Sequence, residues 1–174
     1  GSNSNQVLVL VDGQRVSSPA FFGGTDLSKF PVENISRIEI IRGPASSLYG
    51  SEAFGGVINI ITRTPGTGFR ADLSQGNYGR TGRSLTAEGP LGQANWQLTA
   101  AVPTYDGVRP NSKYDATSFT GKITVSDLAG WSLALNGETY RDRLGLPGPS
   151  YSPDPDDKQW WTRERVDLTL KRAL

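Results

Sequence analysis

Residues 40–62 read IIRGPASSLYGSEAFGGVINIIT, and the folding of this stretch decides how the rest of the chain is organised. Just before it, Arg37, Glu39 and Ile41 alternate with Ile38, Ile40 and Arg42, the period of two of a half-buried strand over Ser36 to Arg42. Gly43-Pro44 ends that ladder, because proline has no N–H to give. Pro44 suits the first turn of a helix, so Pro44 to Tyr49 predicts one or two helical turns, closed by Gly50 in a left-handed cap. The β-branched run Val57-Ile58-Asn59-Ile60-Ile61 predicts a second strand, buried on both faces except at Asn59, whose amide then needs a partner.

Upstream, Val7 to Val11 is an unbroken apolar run stopped by the turn pair Asp12-Gly13, with Arg15-Val16 as a return strand. It reads as the central strand of a small mixed sheet with the two strands above. Ser17 to Gly24 is a loop holding Phe21-Phe22, rings that either pack into a core or serve binding. Asp26 to Phe30 and Pro31 to Ile35 read as two helical turns with Thr25 or Asp26 as N-cap.

Beyond Thr64-Pro65-Gly66 the texture changes. Phe69, Ala71 and Leu73 oppose Arg70, Asp72 and Ser74; Trp96, Leu98, Ala100 and Val102 oppose Asn95, Gln97 and Thr99; Val166, Leu168 and Leu170 oppose Arg165, Asp167, Thr169 and Lys171. Six such segments are expected, at Gly68 to Gln75, Thr81 to Gly89, Ala94 to Tyr105, Ala116 to Ser126, Trp131 to Asp142 and Gln159 to Arg172. Their lengths approach the ~9–11 residues of a tilted membrane strand, with one face for lipid and one for a watery lumen. The connections Pro90 to Gln93 and Asp127 to Gly130 are tight, whereas the other side carries Gly76 to Gly79, Asp106 to Asp115 and Arg143 to Lys158, the last two longer. Short turns on one side and long loops on the other suit an outer-membrane barrel. Trp96, Trp131, Trp160, Trp161 and Tyr105 near segment ends suit an interfacial aromatic girdle. The competing reading is a soluble β-sandwich with ordinary core aromatics.

Composition narrows the function. The 174 residues include no cysteine, no methionine and no histidine, so disulfides, thiolate zinc sites and imidazole general bases are excluded. Eighteen basic against 17 acidic residues leave a net charge of +1, without the cationic surplus that nucleic acid demands. No apolar run approaches the ~20 residues of a spanning helix. No Gly-x-Ser-x-Gly or phosphate-binding Gly-Lys-Ser/Thr stretch is present, and no catalysis is expected. The one unusual cluster is Tyr151 to Asp157, YSPDPDD, where Asp154, Asp156 and Asp157 either stay solvated or share a hard cation; oxygen-only ligation suits calcium.

The ordered blocks VLVLVDGQRV at Val7 to Val16, TDLSKFPVENISRIEIIRG at Thr25 to Gly43 and RGPASSLYGSEAFGGVINIIT at Arg42 to Thr62 resemble the plug domain of TonB-dependent outer-membrane receptors. Within that family VLVLVDG, DLSKFP and the SxLYGSEAFGGVINIIT form are most similar to cobalamin (vitamin B12) receptors. The resemblance implies an all-β membrane barrel with an α+β plug, present as a fragment: the C-terminal part of the plug at residues 1–66 and the first strands, at 67–174, of a barrel of about 22 strands. It implies energised uptake of cobalamin across the bacterial outer membrane, with a ferric-siderophore receptor as the alternative and a passive pore or structural barrel behind it. Expected partners are cobalamin or an iron chelate, outer-membrane lipid, and a TonB-type energy-coupling protein of the inner membrane, whose recognition box is not in this sequence. Ser17, Ser18, Phe21, Phe22 and Gly23 fall on an apical ligand-binding loop. Arg42 matches an arginine that faces carboxylates of the barrel wall, while an ordinary surface charge is the alternative. Cobalamin receptors bind calcium in acidic outer loops, so Asp106 and Asp115 join Asp154, Asp156 and Asp157 as candidate ligands, in a chain that lacks the fuller aspartate set.

Overall fold

A computed structural model describes residues 7–16 and 25–172, which divide into two units between Thr64 and Pro65. Its strands are β1 (Val7–Val11), β2 (Gln14–Arg15), β3 (Ile35–Arg42), β4 (Gly56–Thr62), β5 (Gly68–Gln75), β6 (Thr81–Leu91), β7 (Ala94–Ala101), β8 (Thr104–Tyr105), β9 (Tyr114–Leu128), β10 (Trp131–Gly145) and β11 (Lys158–Arg172), with one short helix, α1 (Ser46–Tyr49). No described helix is long and apolar enough to cross a membrane.

The first unit is a mixed sheet in the order β2-β1-β4-β3, in which β1 runs parallel to β4 and β3 antiparallel to it. Because β1 lies inside the sheet, its apolar run is buried on both faces. Leu8 and Leu10 pack with Ala45, Ala53 and Val57, and Val9 and Val11 with Val16, Phe30 and Ile60. Asn59 finds the expected partners: its Oδ1 accepts from the Gly13 N–H at 3.1 Å and its Nδ2 donates to Glu39 Oε2 at 3.2 Å. Asp12 fixes the strand crossover by accepting from the Thr62 N–H at 2.9 Å and the Thr62 hydroxyl at 2.5 Å.

Several expectations are corrected here. Ile58 and Ile61 are only half-buried, and Ile38, Ile40 and Ile41 of the edge strand β3 are exposed, so this side of the sheet is not covered by the described residues. The two expected helical turns do stand at Leu27–Lys29 and Val32–Asn34, as 3-10 helices, Asp26 capping the first by accepting from the Ser28 N–H. Helix α1 begins at Ser46, two residues late, and Gly50 closes it at φ 86°, ψ −178°, a glycine conformation but not the left-handed helical cap. At Gly56, φ 138° brings the backbone against Ile41, where an added Cβ would meet the carbonyl oxygen at 2.5 Å.

The second unit is an antiparallel sheet in the order β11-β10-β9-β7-β6-β5. Its six long strands stand where the alternation put them, with two differences. The segment Ala94 to Tyr105 breaks at Val102-Pro103, since proline cannot continue the ladder, and β8 resumes as a short piece pairing β6 and β9. Strands β9, β10 and β11 each reach 15 residues, longer than expected, and so extend past a bilayer core. Ala129 at φ 54° and Gly130 at φ 81° make the two-residue turn between β9 and β10, the geometry that matches strand twist.

The two faces are inverted relative to a soluble sheet. Phe69, Leu73, Leu85, Phe119, Val166 and Leu168 point outward and are exposed, Leu73 at 82% and Val166 at 78%. Ser84, Thr86, Gln97, Thr99, Ser118 and Asp142, on the opposite face, are buried, Thr86 at 1%. Water would reverse this arrangement; lipid outside and a polar interior reproduce it. The apolar band also slants across the rungs. The rung through Ala71 runs by way of Leu85, Ala100, Phe119 and Thr139 to Glu164, whereas the band on β11 centres on Leu168, four residues along. Four residues are about 13 Å along a strand and five strand spacings about 24 Å across, so a level band requires strands tilted by about 30°. Barrel strands tilt by about 35–45°, close to that figure.

Candidate functional site

The loop side of the second unit gathers its most specific geometry. Asn111, at φ 53°, turns its side-chain amide away from its own loop onto the next one. Its Nδ2 donates to the carbonyl oxygens of Leu146 at 3.2 Å, Asp154 at 3.0 Å and Asp157 at 2.8 Å. Backbone bonds close the same contact: the Gly145 N–H reaches Lys113 O at 2.8 Å, the Leu146 N–H Asp157 O at 2.9 Å, and the Asp154 N–H Pro147 O at 3.0 Å. A Cβ at Gly145 would lie 2.6 Å from Asn111 O, so the two backbones meet where only glycine fits. The loops at 106–113 and 146–157 therefore form one platform, with Tyr151 almost fully exposed at its tip.

Below the platform, the polar face carries a chain of paired groups. Tyr114 and Tyr140 hydroxyls are 2.5 Å apart, and the Tyr140 hydroxyl donates to Asp142 Oδ2 at 3.2 Å. The Arg163 guanidinium lies 5.5 Å from the Tyr140 ring and bonds Glu138 Oε1 through both Nε and Nη2. Arg165 approaches the other Glu138 oxygen at 3.6 Å and Asp167 Oδ2 at 3.1 Å. Nearer the first barrel strand, Arg70, Asp72, Ser84, Thr86 and Thr99 continue the pattern. These pairings follow from register, Glu138 standing opposite Arg165 and Tyr140 opposite Arg163. Such a face presents paired charges and hydrogen-bonding groups.

Of the candidate metal ligands, Asp106, Asp154, Asp156 and Asp157 lie on these loops and Asp115 on β9. No group of three or more acidic side chains gathers among the described residues. Asp154 Oδ1 accepts from the N–H groups of Asp156 at 2.9 Å and Asp157 at 2.8 Å, bonds that hold its carboxyl below the usual carboxylate range. Asp115 pairs with Lys113 at 3.4 Å. Asp106 donates its backbone N–H to Tyr78 O at 3.1 Å, tying its loop to the turn at 76–80. Arg42 is exposed at the end of β3, opposite Gly56. The candidate ligand loop, Ser17, Ser18, Phe21, Phe22 and Gly23, lies outside the described residues. The aromatic girdle is narrower than expected: Trp160 and Trp131 are exposed, but Trp161 is half-buried on the opposite face from Trp160, as strand alternation requires of neighbours.

Residues 1–57 match the family described as "TonB-dependent Receptor Plug Domain". That match covers about a third of the chain. Solved structures align over both units: the siderophore receptor PirA from Pseudomonas aeruginosa at 22% identity and TM-score 0.71, with 98% of this chain and 30% of that one covered. The ferripyoverdine receptor of the same organism's outer membrane, solved with ferripyoverdine bound, aligns at 15% identity and TM-score 0.71, covering 95% and 25%. The ferric enterobactin receptor PfeA, also from Pseudomonas aeruginosa, aligns at 22% identity and TM-score 0.58, covering 79% and 25%. This chain thus spans less than a third of the length of these receptors. At such identities the likeness establishes the fold: part of a plug followed by the first strands of a receptor barrel, a fragment of an outer-membrane protein.

Proposed function

We propose that this chain is part of a receptor that binds a ferric siderophore outside the outer membrane and passes it inward when an energised TonB-type protein remodels the plug. The observation that carries this reading is the plug match over residues 1–57 joined to a sheet whose apolar face is exposed and whose polar face is buried. A passive pore has no use for a plug. The receptors it resembles over both units include those whose names specify siderophores, ferripyoverdine and ferric enterobactin, which favours an iron chelate over cobalamin. The cobalamin reading rests on the short blocks VLVLVDG and DLSKFP and remains the comparison arm of the test.

In this account Ser17, Ser18, Phe21, Phe22 and Gly23 contact the ligand, and Arg42 supplies a plug-to-wall ion pair. Titrating the intact receptor with ferric catecholate, ferric hydroxamate and cobalamin, followed by intrinsic fluorescence, tests the assignment. Saturable quenching by a ferric chelate at sub-micromolar concentration supports it; tight binding of cobalamin alone replaces the substrate, and binding of neither overturns the receptor reading.

A further inference from the structure

Tyr114 of β9 and Tyr140 and Asp142 of β10 turn their oxygens toward one another on the polar face, near the loop ends of the two strands. The phenol oxygens of Tyr114 and Tyr140 are 2.5 Å apart, and Tyr140 Oη lies 3.2 Å from Asp142 Oδ2. Tyr114 stands opposite Leu144, Ala116 opposite Asp142 and Ser118 opposite Tyr140. The two tyrosines are thus four rungs apart, about 13 Å along the strand, and their hydroxyls meet only because both rings lie over the Ala116–Asp142 rung. A methyl group at Ala116 leaves that room. Tyr140 and Asp142 are buried, at 3% and 6% exposure, whereas Tyr114 is half-buried and opens the cluster toward the loops. On the far side of β10, Trp161 stands opposite Asp142, and its indole N–H is buried with no acceptor among the described residues.

One phenol is enough to satisfy Asp142 Oδ2; the second turns a hydrogen-bonded pair into a set of three oxygen donors. A six-coordinate ion with bonds of ~2.0 Å holds neighbouring ligand oxygens about 2.8 Å apart, a figure that the two measured separations bracket. Phenol ordinarily loses its proton near pH ~10, so at neutral pH only a strongly Lewis-acidic ion displaces two of them. Tyrosine oxygen is a protein ligand of iron, and two phenolates with one carboxylate carry the three negative charges that cancel a ferric ion. Arg163, 5.5 Å from the Tyr140 ring, does not oppose a cation there, because its charge is met by Glu138.

We propose that Tyr114, Tyr140 and Asp142 bind one ferric ion through their side-chain oxygens. Binding displaces the two phenol protons to water, while Asp142 enters already ionised; no electron moves, and the iron stays ferric. Three coordination positions remain for water or for the small chelate that delivers the ion, and the Trp161 N–H supplies a donor to an oxygen held there. The site goes beyond the transport reading, since barrel residues alone make it and it is independent of which chelate the receptor carries.

The test titrates the intact receptor, stripped of iron and held in detergent, with ferric nitrilotriacetate. Wild type should bind one equivalent with a phenolate-to-iron charge-transfer band in the visible, and gallium nitrilotriacetate should compete for the site without giving a band. Tyr114→Phe and Tyr140→Phe keep the rings and remove only the oxygens, so each should lower affinity at least tenfold and weaken the band. Asp142→Asn should lower affinity at least tenfold but keep the band at saturation, because both phenolates remain. Heat-modifiable gel mobility checks that each barrel is folded, and if one variant fails to fold, the other two make the comparison. Quenching by a ferric siderophore in the same variants reads the transport assignment separately. Absence of the band in wild type, affinity and band unchanged in a folded tyrosine variant, or equal retention of calcium or zinc overturns the proposal.

Discussion

Replacing Asn111 by glycine should release the outer-loop platform while leaving the barrel sheet intact. Asn111 sits at φ 53°, which glycine adopts freely, so Asn111→Gly removes the side chain without straining the backbone. Its Nδ2 has two protons for three carbonyls at 2.8–3.2 Å, so about two bonds' worth of interaction is lost. A net bond contributes about 0.5–1.5 kcal/mol, and these carbonyls are near water and can rehydrate, which places the cost at about 1–2 kcal/mol. That is roughly a 5–30-fold rise in the loop-opening equilibrium. Amide hydrogen exchange reads it directly at Leu146 and Asp154, whose N–H groups bond Asp157 O and Pro147 O inside the platform. Asn111→Asp should accelerate exchange further, because a carboxylate would face three carbonyl oxygens with no proton to donate. Unchanged exchange at Leu146 and Asp154 in Asn111→Gly would refute the clamp. An equal acceleration throughout β9 and β10 would show instead that the residue supports the whole sheet.

Glu138→Gln should destabilise the unfolding transition in detergent by on the order of 3 kcal/mol, since Arg163 and Arg165 share this buried carboxylate and lose its charge together; an unchanged urea midpoint contradicts that. Gly56→Ala should disrupt the plug sheet, because its Cβ would meet Ile41 O at 2.5 Å on a backbone at φ 138°; a soluble plug fragment with unaltered circular dichroism contradicts that. Asp154 has its folded carboxyl lowered by the N–H groups of Asp156 and Asp157, so the turn's stability is present above the ordinary carboxylate value and is lost as pH falls through the lowered one. Exchange at those two amides, corrected for intrinsic rates, should rise only in that acidic window; a rise confined to neutral or basic pH has the wrong sign. Phe21→Ala with Phe22→Ala should weaken ferric-chelate affinity by about 1–3 kcal/mol per ring if the loop is the platform, and unchanged affinity in a calorimetric titration returns the rings to the core.

Period-two alternation was sufficient to place the long strands because lipid and lumen demand opposite chemistry at successive residues, and the tight turn at Ala129-Gly130 fixed their order. It could not distinguish Trp160 from Trp161 until register put them on opposite faces. It also overran Pro103, although a missing N–H in mid-segment is a readable sign of a break. The plug was legible through Val7 to Val11 and Asn59, where an apolar run and a lone polar residue each have one economical solution. Asn111 was not legible, since its partners are 35 to 46 residues away and an asparagine beside Pro110 looks like ordinary turn chemistry. Asp154 turns its oxygen onto its own backbone and Asp115 onto Lys113, contacts that composition does not encode.

The apolar face of the barrel unit meets lipid, and a spin label along β10 reads that orientation directly. Single substitutions Leu133→Cys to Glu138→Cys along β10, in a chain without cysteine of its own, can carry a nitroxide in the intact receptor embedded in vesicles once any cysteine elsewhere in it is replaced by serine. Collision accessibility should alternate with a period of two: Leu133, Leu135 and Gly137 reached by oxygen dissolved in the bilayer, Ala134, Asn136 and Glu138 shielded from it. Uniform accessibility to a water-soluble nickel chelate at Leu133, Leu135 and Gly137 would contradict the membrane orientation and the reading of function built on it.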